Sequence, residues 1–147
     1  GREERKEQIF NKLTTHIKYI NNWDLVDFIA PKVIGPRCAS GGKIFLYHLS
    51  GSGSLWEKRI SIVSTLYFIR NGDFAPTLRI SRRLLRDPHD LIHKAIGWML
   101  REVYKQDKKV CIEFLQTNYN KLPRVTLRYA IEKVPEKIRK QYLAGVF

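Results

Sequence analysis

The chain is predicted to be all-α, an α-solenoid of helix pairs with a concave basic face, and three observations predict this. Apolar residues recur at helical spacing along nearly the whole length. Helix start signals repeat at Trp23, Leu55, Pro88 and Pro123, a period in the low thirties that fits two helices per unit. The 147 residues carry 27 Lys and Arg against 14 Asp and Glu, a formal charge of +13, so the faces such helices expose are strongly positive.

Each element has its own signal. Arg2 to about Ile17 reads as a helix left over from a pair that lacks its mate. Asn21 or Asn22 caps an inner helix starting at Trp23, and Lys43 to Ser50 forms its outer partner. Ser54 with Glu57 makes a capping box for a second inner helix at Leu55, followed by an outer helix over Ala75 to Arg86. Asp87 caps a third that opens on Pro88, with Lys108 to Tyr119 as its partner. Pro123 opens the fourth inner helix, and Pro135 to Ala144 closes the array. No linker or low-complexity tract interrupts the chain, so residues 1–147 are expected to be one domain.

Composition narrows the function. A hydrophobic content of 44% supports a buried core rather than disorder. The positive charge favours a densely anionic partner, nucleic acid first and an anionic membrane surface second. No segment approaches the roughly 18 unbroken apolar residues of a spanning helix, and the opening GREERKEQIFNK is too charged for a signal peptide. Cys38 and Cys111 are far apart and form no CxxC, which argues against a disulfide framework or a zinc knuckle. A reducing cytoplasm is the expected compartment.

Three inner helices carry residues that core packing does not account for. In HKAIGWMLREVYK, Lys94, Trp98, Arg101 and Lys105 share one stripe, while Ile92, Ala95, Ile96, Met99 and Val103 gather opposite. An indole among cations suits a polyanion with stackable rings; the alternative is the rim of a helix contact. On the helix at Trp23, the apolar face is Leu25, Val26, Ile29 and Val33, and Trp23 and Asp27 sit together off it. Asp27 could serve the helix dipole, although Asp24 is better placed for that. Arg59 shares its side with Trp56, Val63 and Leu66, a neighbourhood in which a guanidinium needs an anion, either Asp27 or a phosphate. Arg124 and Arg128 extend the basic stripe on the last inner helix. Arg79, Arg82, Arg83 and Arg86 form a basic face on an outer helix, and such faces are commonly just solvated.

Other signals are rejected. His89 and His93 imitate a two-histidine zinc helix, but Asp90 replaces the glutamate base and no third ligand is evident. SGSGS at residues 50–54 lacks the Lys of a phosphate-binding loop and reads as a connector. No metal or cofactor is expected, and Cys111 is assigned to the core.

The runs NNWDLVDFIAP, SLWEKRISIV, LIHKAIGWMLRE and LRYAIEK, over about residues 21–133, resemble the AlkD-like DNA alkylation repair glycosylases, a family of HEAT-like repeats. The resemblance implies that Trp23, Asp27, Arg59 and Trp98 line a lesion-binding cleft. It makes Asp27 the catalytic residue and Lys94 and Arg101 backbone contacts; Lys105, Arg124 and Arg128 are expected contacts from the basic stripe itself. It implies double-stranded DNA with alkylated purines, 3-methyladenine and 7-methylguanine, as substrate; a monomer without a cofactor is expected. It also implies that N-terminal helices usual in the family are missing ahead of Gly1, and that Asn22 stands where some members have an aromatic residue.

In that chemistry the alkylated base is already cationic and leaves without an acid. The need is to stabilise positive charge growing on the deoxyribose, which a carboxylate does directly. At about 4 Å and an effective dielectric of about 20 the attraction is on the order of 4 kcal/mol, roughly a thousandfold in rate. Trp23 and Trp98 would hold the cation by contacts of about 0.5 to 2 kcal/mol each. A shallow cleft that grips backbone and sugar is expected, tolerant of bulky adducts. The alternative is a non-catalytic DNA- or RNA-binding solenoid, which leaves a carboxylate inside a phosphate-binding face unexplained.

Overall fold

The computed structural model describes residues 1–16, 23–39 and 41–147. Asn21, Asn22 and Ile17, to which a cap and a helix end were assigned, lie outside them. The described residues are helical throughout and contain no strand. In order they are α1 (Arg2–His16), α2 (Trp23–Ile29), a π turn (Ala30–Ile34), α3 (Gly35–Cys38), α4 (Lys43–Ser50), α5 (Leu55–Val63), α6 (Leu66–Arg70), α7 (Ala75–Leu84), α8 (Asp90–Gln106), α9 (Lys108–Asn118), a 3₁₀ turn (Tyr119–Lys121), α10 (Arg124–Ala130) and α11 (Glu136–Leu143). They build a solenoid-like array. In the first row α2 packs on α5, α5 on α8 and α8 on α10; in the second, α4 packs on α7, and α7 and α9 both lie against α8.

α8 is the axis of the molecule. Its Ile92, Ala95, Ile96, Met99, Leu100 and Val103 are wholly buried, meeting Ile60, Ile62 and Val63 of α5 and Leu127 and Ala130 of α10 in one core. Gly97 is the reason α10 comes so close. A Cβ there would lie 2.5 Å from the Tyr129 Cβ and 2.8 Å from the Thr126 carbonyl, so the glycine of KAIGW is a helix-crossing residue. The Thr126 hydroxyl fastens the crossing by donating to the His93 carbonyl at 2.7 Å.

The first row is less regular than its periodicity predicts. Pro31 cannot donate to a carbonyl four residues back, and the helix from Trp23 widens into the π turn, where the Gly35 N–H reaches the Ala30 carbonyl. The buried stripe therefore runs Val26, Ala30, Ile34, Cys38. Leu25, expected inside, is 44% exposed, and Val33 is only half-buried. Between α5 and α6 the helix tightens: the Thr65 N–H bonds Ile62 instead of Ser61, and its hydroxyl donates to the same carbonyl at 2.6 Å. Gly35 packs on this break, with space for a Cβ only 2.7 Å from the Ser64 carbonyl.

Caps follow the expected logic with two changes. The Ser54 hydroxyl accepts the Glu57 N–H, but the Glu57 carboxylate is met by Ser52, not by the Ser54 backbone, so SGSGS helps close the cap as well as connecting. Asp87 does not cap α8. Pro88 stands outside the helix, the cap is His89, whose Nδ1 accepts the Leu91 N–H at 3.1 Å, and Asp87 holds the loop by accepting the His89 N–H and Lys58 Nζ at 2.9 and 2.6 Å. His93 contacts the Asp87 carbonyl. Both histidines thus serve α8's entry. Cys38 and Cys111 are buried free thiols, and burial pushes them up to about 11 and about 12.

Candidate functional site

Asp27 and Arg59 meet. On α2, Asp27 sits one turn after Trp23; on α5, Arg59 sits one turn after Trp56. Arg59 Nε donates to one Asp27 oxygen at 2.9 Å and Nη2 to the other at 2.8 Å, a bidentate fork. Nη1 donates to the Leu91 carbonyl in the first turn of α8 at 2.8 Å. Three first-row helices are therefore joined by one guanidinium. Arg59 is 8% exposed, whereas the Asp27 side chain keeps 27% of its surface open. Of the two anions that the sequence left open for Arg59, the structure seats Asp27.

Aromatic rings wall this pair. The Arg59 guanidinium lies 4.6 Å from the Trp23 ring centroid, and Trp23 meets Trp56 at 4.0 Å with their planes 38° apart. Trp56 was not among the sequence candidates. The available signal was its position one turn before Arg59, mirroring that of Trp23 before Asp27. Two lone-pair sites of the carboxylate remain after the fork, so a cationic or hydrogen-bonding group can still reach Asp27 from solvent.

The α8 stripe forms a second group. Trp98 is half-buried, packed on the edge of the core, about 10 Å along the helix axis from Leu91. Its flanking cations are each paired. Lys94 meets Asp90 at 3.0 Å, which raises its pKa, and Lys105 meets Glu102 at 3.1 Å. Arg101 meets Glu132 and lies over the Tyr129 ring, while its Nε is buried with no hydrogen-bond partner. Arg128 is exposed. Arg124 turns to the chain end, its Nη1 donating to the Leu143 carbonyl at 2.6 Å.

Among the described residues no group of three or more His, Cys, Asp or Glu is placed to hold a metal ion, and no helix is long and apolar enough to cross a membrane.

Fold and site together define a basic helical-array protein with a carboxylate held beside paired indoles. The family model of the DNA alkylation repair enzymes matches residues 1–134, and the chain belongs to that family. It is accordingly an enzyme of DNA alkylation repair, with DNA as its substrate. No curated protein matches it.

Proposed function

We propose that this chain is a DNA glycosylase that excises cationic N-alkylated purines, 3-methyladenine and 7-methylguanine, from duplex DNA. The observation that carries the reading is the Asp27 carboxylate, fixed by Arg59 beside Trp23 and Trp56 yet still open to solvent. In the reaction the bond between C1′ and the purine nitrogen breaks, and its electron pair neutralises the base. Positive charge appears on the sugar; water then adds to C1′ and loses a proton. Asp27 stabilises that charge and is placed to orient the water.

The pairing with Arg59 sets a magnitude. A carboxylate about 4 Å from the sugar contributes about 4 kcal/mol at an effective dielectric of 20, and a guanidinium about 7 Å away offsets about 2 of it. About 2 kcal/mol remains, some thirtyfold in rate. That is modest, and it matches leaving groups that are already cationic. An undamaged base would also need protonation, and the reading gives no residue that task, so selectivity follows from lesion chemistry. Trp23 and Trp98 hold the lesion, Arg59 acts through Asp27 as a positioning residue, and Lys94, Arg101, Lys105 and Arg128 meet the backbone, while Arg124 stays bonded at the Leu143 carbonyl.

The second reading, a non-catalytic DNA- or RNA-binding solenoid, is favoured by one fact: both Asp27 oxygens are already taken by Arg59, as in a structural ion pair. Release of 7-methylguanine from methylated duplex by the chain and by Asp27→Asn separates the two. A glycosylase loses release in the variant and keeps its DNA affinity. Absence of release from both, with binding retained, would establish the binder.

A further inference from the structure

The first-row cations Arg59, Lys94, Arg101 and Lys105 each have a carboxylate partner. In the second row Lys43 of α4 meets Asp73 at 2.7 Å, but a cluster around the end of α7 has no such partner. Arg79, Arg82, Arg83 and Arg86, together with Lys121 beyond α9, form no salt bridge among the described residues. A cluster of positive charge without carboxylate partners thus lies between α7 and α9.

It has a shape. Arg82, Arg83 and Arg86 form one bank of a groove of about 470 Å³, and Asn118 and Lys121 stand on the other. The groove continues past Arg82 and Asn118 into a further 420 Å³ over Phe114, and a smaller recess runs from Arg83 and Arg86 toward Gly51 and Ser52. Two of the guanidiniums rest on rings, Arg79 at 3.9 Å from Tyr47 and Arg82 at 6.0 Å from Phe114. Arg83 donates to the Tyr47 carbonyl at 3.3 Å and packs over Gly51. Ring contacts and backbone bonds fix these heads without neutralising them. The dipole at the end of α7 accounts for attraction of Arg82 and Arg83, but not for Arg79, Arg86 and Lys121. Two carboxylates border these spaces, Glu113 in the extension and Asp87, already bonded to Lys58, in the recess.

Direction matters as much as charge. α7 buries Thr77, Ile80, Ser81 and Leu84 against the core, and at about 100° per residue Arg79, Arg82 and Arg83 fall on the opposite side, with exposed Arg86 following in the turn after Leu84. Because α7 packs on α5 and α8 of the first row, these heads point away from that row. From Arg79 to Arg83 the stripe runs about 6 Å along α7, about two nucleotide steps in a duplex strand, and Arg86 continues it into the turn.

We propose that the α7–α9 groove binds the phosphodiester backbone of a second duplex DNA segment while the first row holds the damaged one. The chain would then tether itself to neighbouring DNA during search. The test uses short undamaged duplexes in two colours, scoring duplexes per chain by sedimentation and proximity by energy transfer at low salt. The expected result is two duplexes per chain. Arg82→Gln with Arg86→Gln should carry one, lower the salt slope of total binding by about two, and leave 7-methylguanine release unchanged. One duplex per wild-type chain, a double variant that still carries two, or occupation of the groove by RNA or anionic vesicles with duplex excluded would overturn the proposal. Two duplexes bound by a chain that releases no base would overturn the glycosylase reading and leave this one standing.

Discussion

Arg59 is the residue on which the site turns. Its planar fork meets both Asp27 oxygens, its third nitrogen meets Leu91, and its face covers Trp23. Lysine has the charge but not the fork. Arg59→Lys should cost about 1 to 3 kcal/mol of stability, read by urea unfolding, and should reduce 7-methylguanine release less than Asp27→Asn does, because the carboxylate remains. Equal losses in the two variants would assign the chemistry to the arginine itself. Trp23, Asp27, Arg59 and Trp98 were all legible in the sequence, since Trp23, Asp27 and Trp98 depart from the apolar face of their own helix and Arg59 is a charge set among apolar neighbours on its own. The Asp27–Arg59 bond was not legible, because intrahelical periodicity says nothing about which face of another helix comes opposite. Trp56 was overlooked for the same reason: its partner Trp23 lies on a different helix.

At the scale of elements, crossings and caps decide the geometry. Gly97→Ala adds a methyl group where Tyr129 and Thr126 of α10 leave no room. The expected outcome is a net loss of about 1 to 2 kcal/mol in thermal or urea unfolding, the strain of overpacking outweighing alanine's helix preference. The Asp87 loop supplies a pH signature. Removal from water is the largest single influence on Asp87 and pulls its pKa up, but the Lys58 hydrogen bond, the His89 N–H and the charges of Lys58 and His89 outweigh it, holding the carboxyl below its ordinary 3.8. A depressed acid stabilises the fold above its unfolded pKa and loses that contribution as pH falls through the folded one. Unfolding of wild type and Asp87→Asn followed from pH 7 to pH 3 should therefore show a wild-type advantage of about 1 kcal/mol that fades below about pH 4. An advantage that is constant with pH would count against the ion pair. Helices α4 and α5 begin where the sequence placed them, and α10 and α11 within a residue, because Ser, Gly and Pro act locally. The π turn after α2 and the break before α6 were not foreseen, since both are settled against neighbours: Gly35 presses on Ser64, and Thr65 gives its hydroxyl to Ile62.

For the whole molecule the governing quantity is the formal charge of +13. Affinity for undamaged duplex should fall steeply with salt. Arg128→Gln is expected to lower the salt slope by about 0.9, whereas Arg124→Gln should change it little, because the Arg124 head is already bonded at Leu143. Equal effects would mean that Arg124 leaves Leu143 to meet DNA. The sequence by itself determined the all-helical class and the basic character and singled out Trp23, Asp27, Arg59 and Trp98 as candidates, because periodicity, caps and composition are local properties that survive without a fold. The tertiary structure alone decided what those residues do to one another. It gave Asp27 to Arg59, placed Trp56 on Trp23, supplied Lys94, Arg101 and Lys105 with carboxylates and left α7's arginines without them. Pairing is set by which helix faces meet, and that depends on crossings such as Gly97 and Gly35, where a single missing methyl group lets two backbones approach.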